Sequence, residues 1–398
     1  MHDIAAAAPS TQAAPPNASS ADAAPAPAPP SAEPFHFTGK AGEYFGIWIV
    51  NLFLTIVTLG IYSAWAKVRK KRYFYGNTWV AGANFDFHGN PVAILKGRLL
   101  AFAAFAAYTL AGHYSPKVAA LIALAIMPAV PWLLVRSFAF NALNSSYRNL
   151  RFHFRAGYAD GLRAIWPLFL VPALVLVLPQ IEPQAPPKEI SAGLFVAALL
   201  PAIVLAVFYP YVVSRTNRLR IDHGRYGSAP FANSARTIQF YGIYAIAAIL
   251  IFGAGLAMSV LAGVIFGFFA KSMETAPVLA LWLLPAVYLV AFAVVFAFTR
   301  SRVANVVFNH TRLAGRVRFT SKLRARALAR IYITNALAIV ASVGLLIPWA
   351  AIRTARYRAD CLWLECSGGL EAFAADVASH VSATGEEMGD MFDVDLSL

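Results

Sequence analysis

Eight apolar stretches, at roughly 44–66, 99–114, 118–140, 164–180, 192–213, 241–269, 277–299 and 331–352, hold no Asp, Glu, Lys or Arg in their cores. That pattern constrains the fold more than any other feature of the chain. A helix crossing about 30 Å of hydrocarbon needs about 20 apolar residues at about 1.5 Å each. A charge at its centre costs about 2.5–3.5 kcal/mol on insertion scales, so charge-free cores are what lipid-facing helices require. The whole chain is 59% hydrophobic and only 13% charged, with a mean hydropathy of +0.60. Soluble domains carry about a quarter charged residues, and this composition excludes one.

The net charge of +14 would raise nucleic acid as a partner if the basic residues spread over a soluble face. They do not. Of 33 Lys and Arg, 26 fall at 67–98, 136–163, 215–236 and 300–330, and three more at 353–358. Nucleic acid is therefore excluded, and the clusters read as helix ends held on the cytoplasmic side. The connections between them carry at most Lys117, Lys188 or Lys271, so the six central segments pair into three hairpins that enter from and return to the cytoplasm. Trp48, Trp132, Trp166 and Trp349 lie near segment ends, as interfacial aromatics do.

The chain also repeats itself. Residues 47–73, "IWIVNLFLTIVTLGIYSAWAKVRKKRY", align without gaps on 331–357, "IYITNALAIVASVGLLIPWAAIRTARY", matching Asn51 with Asn335, Gly60 with Gly344, Trp65 with Trp349 and Arg69 with Arg353. A shorter exit signal, an aromatic followed four residues later by Arg, recurs at Trp132 and Arg136, Tyr211 and Arg215, and Phe298 and Arg302. Beyond three of these exits come alternating runs, "FDF" at 85–87, "FHF" at 152–154 and "VRF" at 317–319, which predict short β-strands. Isolated hairpins are marginal in water, so these would pack with one another beneath the helices. The end copies create a conflict. If segments 44–66 and 331–352 each cross once, Arg69 and Arg353 face opposite sides, against the charge rule; if both are re-entrant, both basic ends are cytoplasmic. A length of about 22 residues suits a single span and the basic ends suit re-entry, so both topologies stay open at this level.

The string "TLGIYSAWAKVRKKRY", with "FHFTGKAGEYFGIWIVN" before it and "NTWVAGANFDFHG" after it, resembles the bacterial YjgN-like inner-membrane family, whose function is unknown, over residues 34–375. The resemblance implies a multi-pass protein of the bacterial inner membrane and supplies no catalytic residues. The fold class expected is an α-helical polytopic membrane protein of repeated hairpins with short cytoplasmic β-hairpins. A Pro/Ala-rich leader at 1–34, a transmembrane domain at 35–375 and an acidic flexible tail at 376–398 complete it.

No convergent acid, base, nucleophile or glycine-rich phosphate loop marks an enzyme. The histidines are scattered, "CLWLEC" at 361–366 matches no common zinc spacing, and no metal or cofactor is expected. Asn51 and Asn335 are the best polar candidates at depth; interhelical hydrogen bonding is their simpler role. Two functional classes follow: a small-solute transporter or channel, weakened by the lack of an intramembrane carboxylate, and a scaffold whose Arg-rich loops bind anionic phospholipids.

Overall fold

The computed structural model describes residues 31–178, 192–268 and 275–385. Its organising element is a sheet. Strands β1 (Ser31–Pro34) and β2 (His36–Phe37) open the chain; hairpins β3 (Thr78–Val80) with β4 (Ala83–Phe87), β5 (Ser145–Tyr147) with β6 (Leu150–Phe154), β7 (Gly224–Tyr226) with β8 (Ala229–Asn233) and β9 (Thr311–Leu313) with β10 (Val317–Ser321) follow, and β11 (Leu362–Cys366) closes the set. All pair antiparallel in the order β1-β11-β10-β9-β8-β7-β6-β5-β4-β3-β2. The two strands at the ends of this order are neighbours in sequence, separated only by Phe35, whose N–H donates to the Leu362 carbonyl at 3.0 Å. One N-terminal stretch thus pairs first with β11 and then with β3, which brings the sheet round into a near-closed barrel.

This extends the expected fold class: the short hairpins expected to pack with one another beneath the helices join into one sheet. The shift follows from backbone accounting: strands of three to five residues leave donors and acceptors open on both sides, and joining every hairpin to the next satisfies them. The tight turns supply the needed conformations, with φ of 45° and 73° at Ala81 and Gly82 and of 50° and 63° at Arg148 and Asn149, the left-handed pairs that two-residue hairpins favour.

Inward residues alternate along each strand. Phe85 faces Tyr147 across the ladder, Phe152 faces Tyr226, Phe231 faces Leu313 and Phe319 faces Leu364, and with Phe35 and Val80 they form one core. Burial pushes the Tyr226 hydroxyl up to about 12, and as a neutral donor it bonds the Tyr147 carbonyl at 3.1 Å.

Each helical excursion leaves the sheet and returns to it at one end; the hairpin turns lie at the other. The excursions are α1 (Ala41–Val57) and α2 (Ser63–Gly76); α3 (Pro91–Tyr114), α4 (Pro116–Ile126) and α5 (Ala129–Leu143); α6 (Tyr158–Ile165), a 3-10 turn (Trp166–Phe169), α7 (Leu170–Val177) and α8 (Ala192–Asp222); α9 (Thr237–Phe268) and α10 (Thr275–Asn309); and α11 (Ala325–Ala341) and α12 (Ile347–Asp360). Among the described residues five stretches, Pro91–Tyr114, Tyr158–Val177, Ala197–Asp222, Thr237–Gly267 and Leu284–Asn309, are long and apolar enough to cross a membrane, and α4 with α5, bent by 48°, reaches that length only when the two are counted together. Large apolar side chains such as Phe102, Phe105, Ile249 and Phe252 stand exposed along them, which suits lipid and not water. The helices also close: α12 packs on α1, as each neighbouring pair packs around the ring. At one crossing α6 must come close to α5, since a Cβ on Gly161 would sit 2.7 Å from the Pro131 carbonyl oxygen, and only glycine fits.

The first and last excursions are short and fold back. Leu59 and Gly60 adopt φ of 50° and 93°, and Val343 and Gly344 adopt 50° and 91°. In both turns the glycine N–H reaches back five residues, Gly60 to Thr55 at 2.7 Å and Gly344 to Ile339 at 2.8 Å, a Schellman-type ending. The next helix then starts on a hydroxyl, Thr58 accepting from the Tyr62 N–H and Ser342 from the Leu346 N–H. At the base, the Lys40 N–H donates to the Tyr73 hydroxyl at 2.9 Å and the Arg324 N–H to the Tyr357 hydroxyl at 3.1 Å. The entry and exit of each short hairpin are therefore neighbours, and neither apolar segment continues as one straight helix.

The ends of the chain differ from the compositional reading. Residues 31–34, assigned there to the leader, are β1, paired with β11 from Ser31↔Cys366 to Pro34↔Trp363. Helix α13 (Leu370–Gly385) runs on past residue 376, the expected start of the tail. It lies over the turn end of the sheet, with Leu370, Phe373 and Val377 in the strand core, Asp376 2.9 Å from Arg316 and Glu371 3.5 Å from Arg148. The rest of the leader (1–30), the rest of the tail (386–398), Lys188 and Lys271 lie outside the described residues.

Two outcomes test this fold. Gly344→Val forces a branched side chain into a left-handed turn, at a cost of about 1–2 kcal/mol, and lowers the apparent melting temperature in detergent; Gly97→Ala, with open space around it, does not. His153 is held below its usual 6.5 by burial and then by Arg155, and its Nδ1 is buried without a partner among the described residues. The folded state therefore resists a proton that the unfolded chain accepts. Stability from this group is full above about pH 6.5 and declines as pH falls through that value. Between pH 7.5 and 5.5 the wild type should lose more stability than His153→Gln.

Candidate functional site

The exit signals sit where the helices meet the sheet. An aromatic and an Arg four residues apart share a helix face, and the guanidinium lies over the ring at 5.6 Å for Arg136 on Trp132, 5.3 Å for Arg215 on Tyr211, 5.8 Å for Arg302 on Phe298 and 5.2 Å for Arg353 on Trp349. The fifth pair departs: Arg69 lies over Tyr62 at 6.0 Å, and the Trp65 ring stacks on Tyr62 instead. Such contacts are worth about 0.5–1 kcal/mol where exposed. Eight residues after four of these arginines comes a side chain that caps the helix. Asn77 and Asn144 donate to the Tyr73 and Phe140 carbonyls at 2.8 Å, and the Nδ1 atoms of His223 and His310 sit 3.2 and 2.8 Å from the Leu219 and Val306 carbonyls.

A second set of clamps, which the sequence reading missed, lies three residues after the exit arginine. Arg72 donates to the Phe87 carbonyl at 3.3 Å, Arg218 to Ala235 at 2.9 Å, Asn305 to Leu323 at 2.9 Å and Arg356 to Gly39 at 3.1 Å. Each ties an exit helix to the chain that leaves its sheet strands. The signal was present as Arg-x-x-Arg at 69–72, 215–218 and 353–356.

Asn335 and Asn51 are both buried, yet they differ. Asn335 donates to the Ala350 carbonyl (3.2 Å) and the Thr354 hydroxyl (3.1 Å), and accepts from Arg353 at 3.1 Å, so it joins α11 to α12 with both ends of its amide used. The Asn51 Oδ1 is buried without a partner among the described residues. Arg69, the match of Arg353, has turned to Tyr62.

Two open cavities flank α12. One, about 510 Å³, runs between α2 and the α11–α12 hairpin: Ile339 and Ile347 line it near the hairpin tip, Asn335 and Ala351 midway, and Thr354, Arg358, Lys70 and Phe74 towards the sheet. The other, about 410 Å³, is bordered by Lys40, Trp349, Arg353, Arg356, Tyr357 and Asp360. Among the described residues no group of three His, Cys, Asp or Glu is placed to hold a metal ion. Cys361 and Cys366 are free thiols, both pushed up by burial.

Residues 32–391 match the model of a bacterial protein family of unknown function, DUF898. An inner membrane protein YjgN from Salmonella typhimurium strain LT2 is 32% identical over 142 residues, 35% of each chain. That from Escherichia coli O157:H7 is 30% identical over 146 residues, 36% of this chain and 35% of its own, and that from Escherichia coli K12 is 29% identical over 177 residues, 43% of each. The matched region thus spans about a third of the length of the first two relatives. No solved structure matches. A chain of apolar spanning helices whose family match runs from the first described strand through the last described helix is an integral membrane protein and belongs to the DUF898 family of bacterial proteins of unknown function.

Proposed function

We propose that this is a multi-pass protein of the bacterial inner membrane that forms a gated conduit for small solutes. In it, five copies of one unit, an outgoing helix, a returning helix with its exit arginine and a strand hairpin, are arranged in a ring. The relatives' names support the membrane assigned. The basic strand ring and both described ends of the chain then face the cytoplasm. The three long excursions supply six spans, and the α1–α2 and α11–α12 hairpins dip in and return. The adjacency of Lys40 to Tyr73 and of Arg324 to Tyr357 supports the re-entrant reading, because a straight crossing would separate those residues by the thickness of the bilayer.

One observation carries the conduit: both layers close around one axis, the sheet through Phe35 and the helices through α1 against α12. Across that axis lie one phenylalanine per unit, Phe35, Phe85, Phe152, Phe231 and Phe319, with neighbouring rings 6.3 Å apart at three of the steps, and beyond them α13. An apolar constriction of this kind gates by dewetting, and its opening needs the rings and α13 to move. No chemistry is assigned, since no acid, base and nucleophile converge. A lipid-binding scaffold is the second reading, favoured by the cationic groove between α2 and α12.

Two measurements decide. In proteoliposomes the wild type should hold a small entrapped dye, whereas Phe231→Ala with Phe319→Ala, and separately Glu371→Lys with Asp376→Lys, should leak several-fold faster at unchanged helix content. Equal retention by all three rules out the conduit. In a cysteine-free background, Thr38→Cys and Asn77→Cys should both label only after the inner membrane is permeabilised; labelling of one from outside rules out the re-entrant hairpin.

A further inference from the structure

The groove between α2 and the α11–α12 hairpin is graded along its length. Its deep end, by Ile339 and Ile347, is apolar; its sheet end holds Lys70 and Arg358. From Ile347 to Arg358 the helix rises about 16 Å. The polar groups between these ends are already satisfied by one another: Asn335 bonds Ala350 and Thr354, and Thr354 donates to Ala350 at 2.8 Å. The cations are different. Neighbouring arginines are spent on the protein, Arg72 and Arg356 on carbonyls and Arg353 on Asn335. Lys70 lies 5.9 Å from the Phe74 ring, and among the described residues no carboxylate lies within ion-pair distance of Lys70 or Arg358. Two unneutralised cations in one cavity call for an anion, and the wall above them calls for hydrocarbon.

We propose that this groove binds one anionic phospholipid, its phosphate between Lys70 and Arg358 and one acyl chain along Phe74, Ala351, Ile347 and Ile339. An anionic headgroup is drawn to nearby basic residues, and charge at the rim with apolar depth below matches the polarity of a lipid leaflet. A free fatty acid has the same two parts, but two cations fit a phosphodiester with its several acceptor oxygens better than a single carboxylate. The placement of the cations at the membrane surface rests on the topology proposed above. Lipid binding itself does not depend on conduction, and it is measured in detergent, where no flux exists.

Native mass spectrometry of the full chain, with dioleoyl phosphatidylglycerol, dioleoyl phosphatidylcholine or oleate added at equal concentration, tests it. The wild type should retain one phosphatidylglycerol at least five-fold over phosphatidylcholine. Lys70→Gln with Arg358→Gln should abolish that preference, whereas Lys67→Gln with Arg326→Gln, neither of which lines the groove, should keep it. Ile339→Trp, which fills the apolar end and leaves both cations, should also lose the lipid and guards against misfolding of the charge variant. Equal retention of the two phospholipids, retention undiminished in the groove variants, or tight binding of oleate with none of phosphatidylglycerol each overturns the proposal.

Discussion

Everything in this fold depends on one stretch of main chain, residues 31–37, that pairs on both sides of a gap. Four units bring a complete hairpin to the sheet, but the last brings only β11. Without the N-terminal strand, β11 and β3 would each expose an unpaired edge at a membrane surface, and edges of that kind pair with whatever they meet. With it, β11 and β3 each gain a second neighbour. The beginning of the chain therefore holds its end, and the pairing between residues 31–34 and 363–366 cannot form until both have been made. Contacts so distant in sequence close late and slowly.

Ring closure also explains how the basic residues are used. A helix arriving at the sheet leaves its last carbonyls open; a side chain eight residues past the exit arginine caps them, and another three residues past it reaches the following loop. The arginines at the helix exits thus also join each returning helix to the next departing one. Position Gly39 shows how tight that junction is: a Cβ there would lie 2.7 Å from the Phe37 ring, so the loop that accepts from Arg356 needs glycine.

Much of this was legible in the sequence. Charge-free apolar stretches marked the spanning helices, and the aromatic-to-Arg spacing marked four exits whose rings and guanidinium groups do meet. "FDF", "FHF" and "VRF" each placed an inward phenylalanine. Strand β1 was not legible, because "SAEP" at 31–34 joins through backbone hydrogen bonds that carry no side-chain signature. Nor was α13: its acidic residues read as solvated, while the alternation of Leu370, Phe373 and Val377 that binds it to the core only gains meaning once a closed strand ring exists to receive it. Asn51 and Asn335 were equivalent as letters. They differ in space because Tyr62, which draws Arg69 away, has Leu346 as its counterpart, leaving Arg353 to Trp349 and Asn335.

Between any other two adjacent units the chain itself runs through a strand hairpin, so their separation is bounded by a few residues. At the junction of first and last units no covalent link exists. What holds it is a strip of backbone pairing, the Arg356–Gly39 bond and a small cluster in which Phe37 and Tyr44 of the first unit pack on Ile352 of the last. The groove lies along that junction, with Lys70 and Phe74 on the first unit and Asn335, Thr354 and Arg358 on the last. A lipid bound there touches both sides only when the ring is closed. Its binding energy adds to closure by mass action, in proportion to the logarithm of its concentration over its dissociation constant. The occupancy of one groove by the surrounding bilayer thereby becomes a term in the integrity of the whole ring.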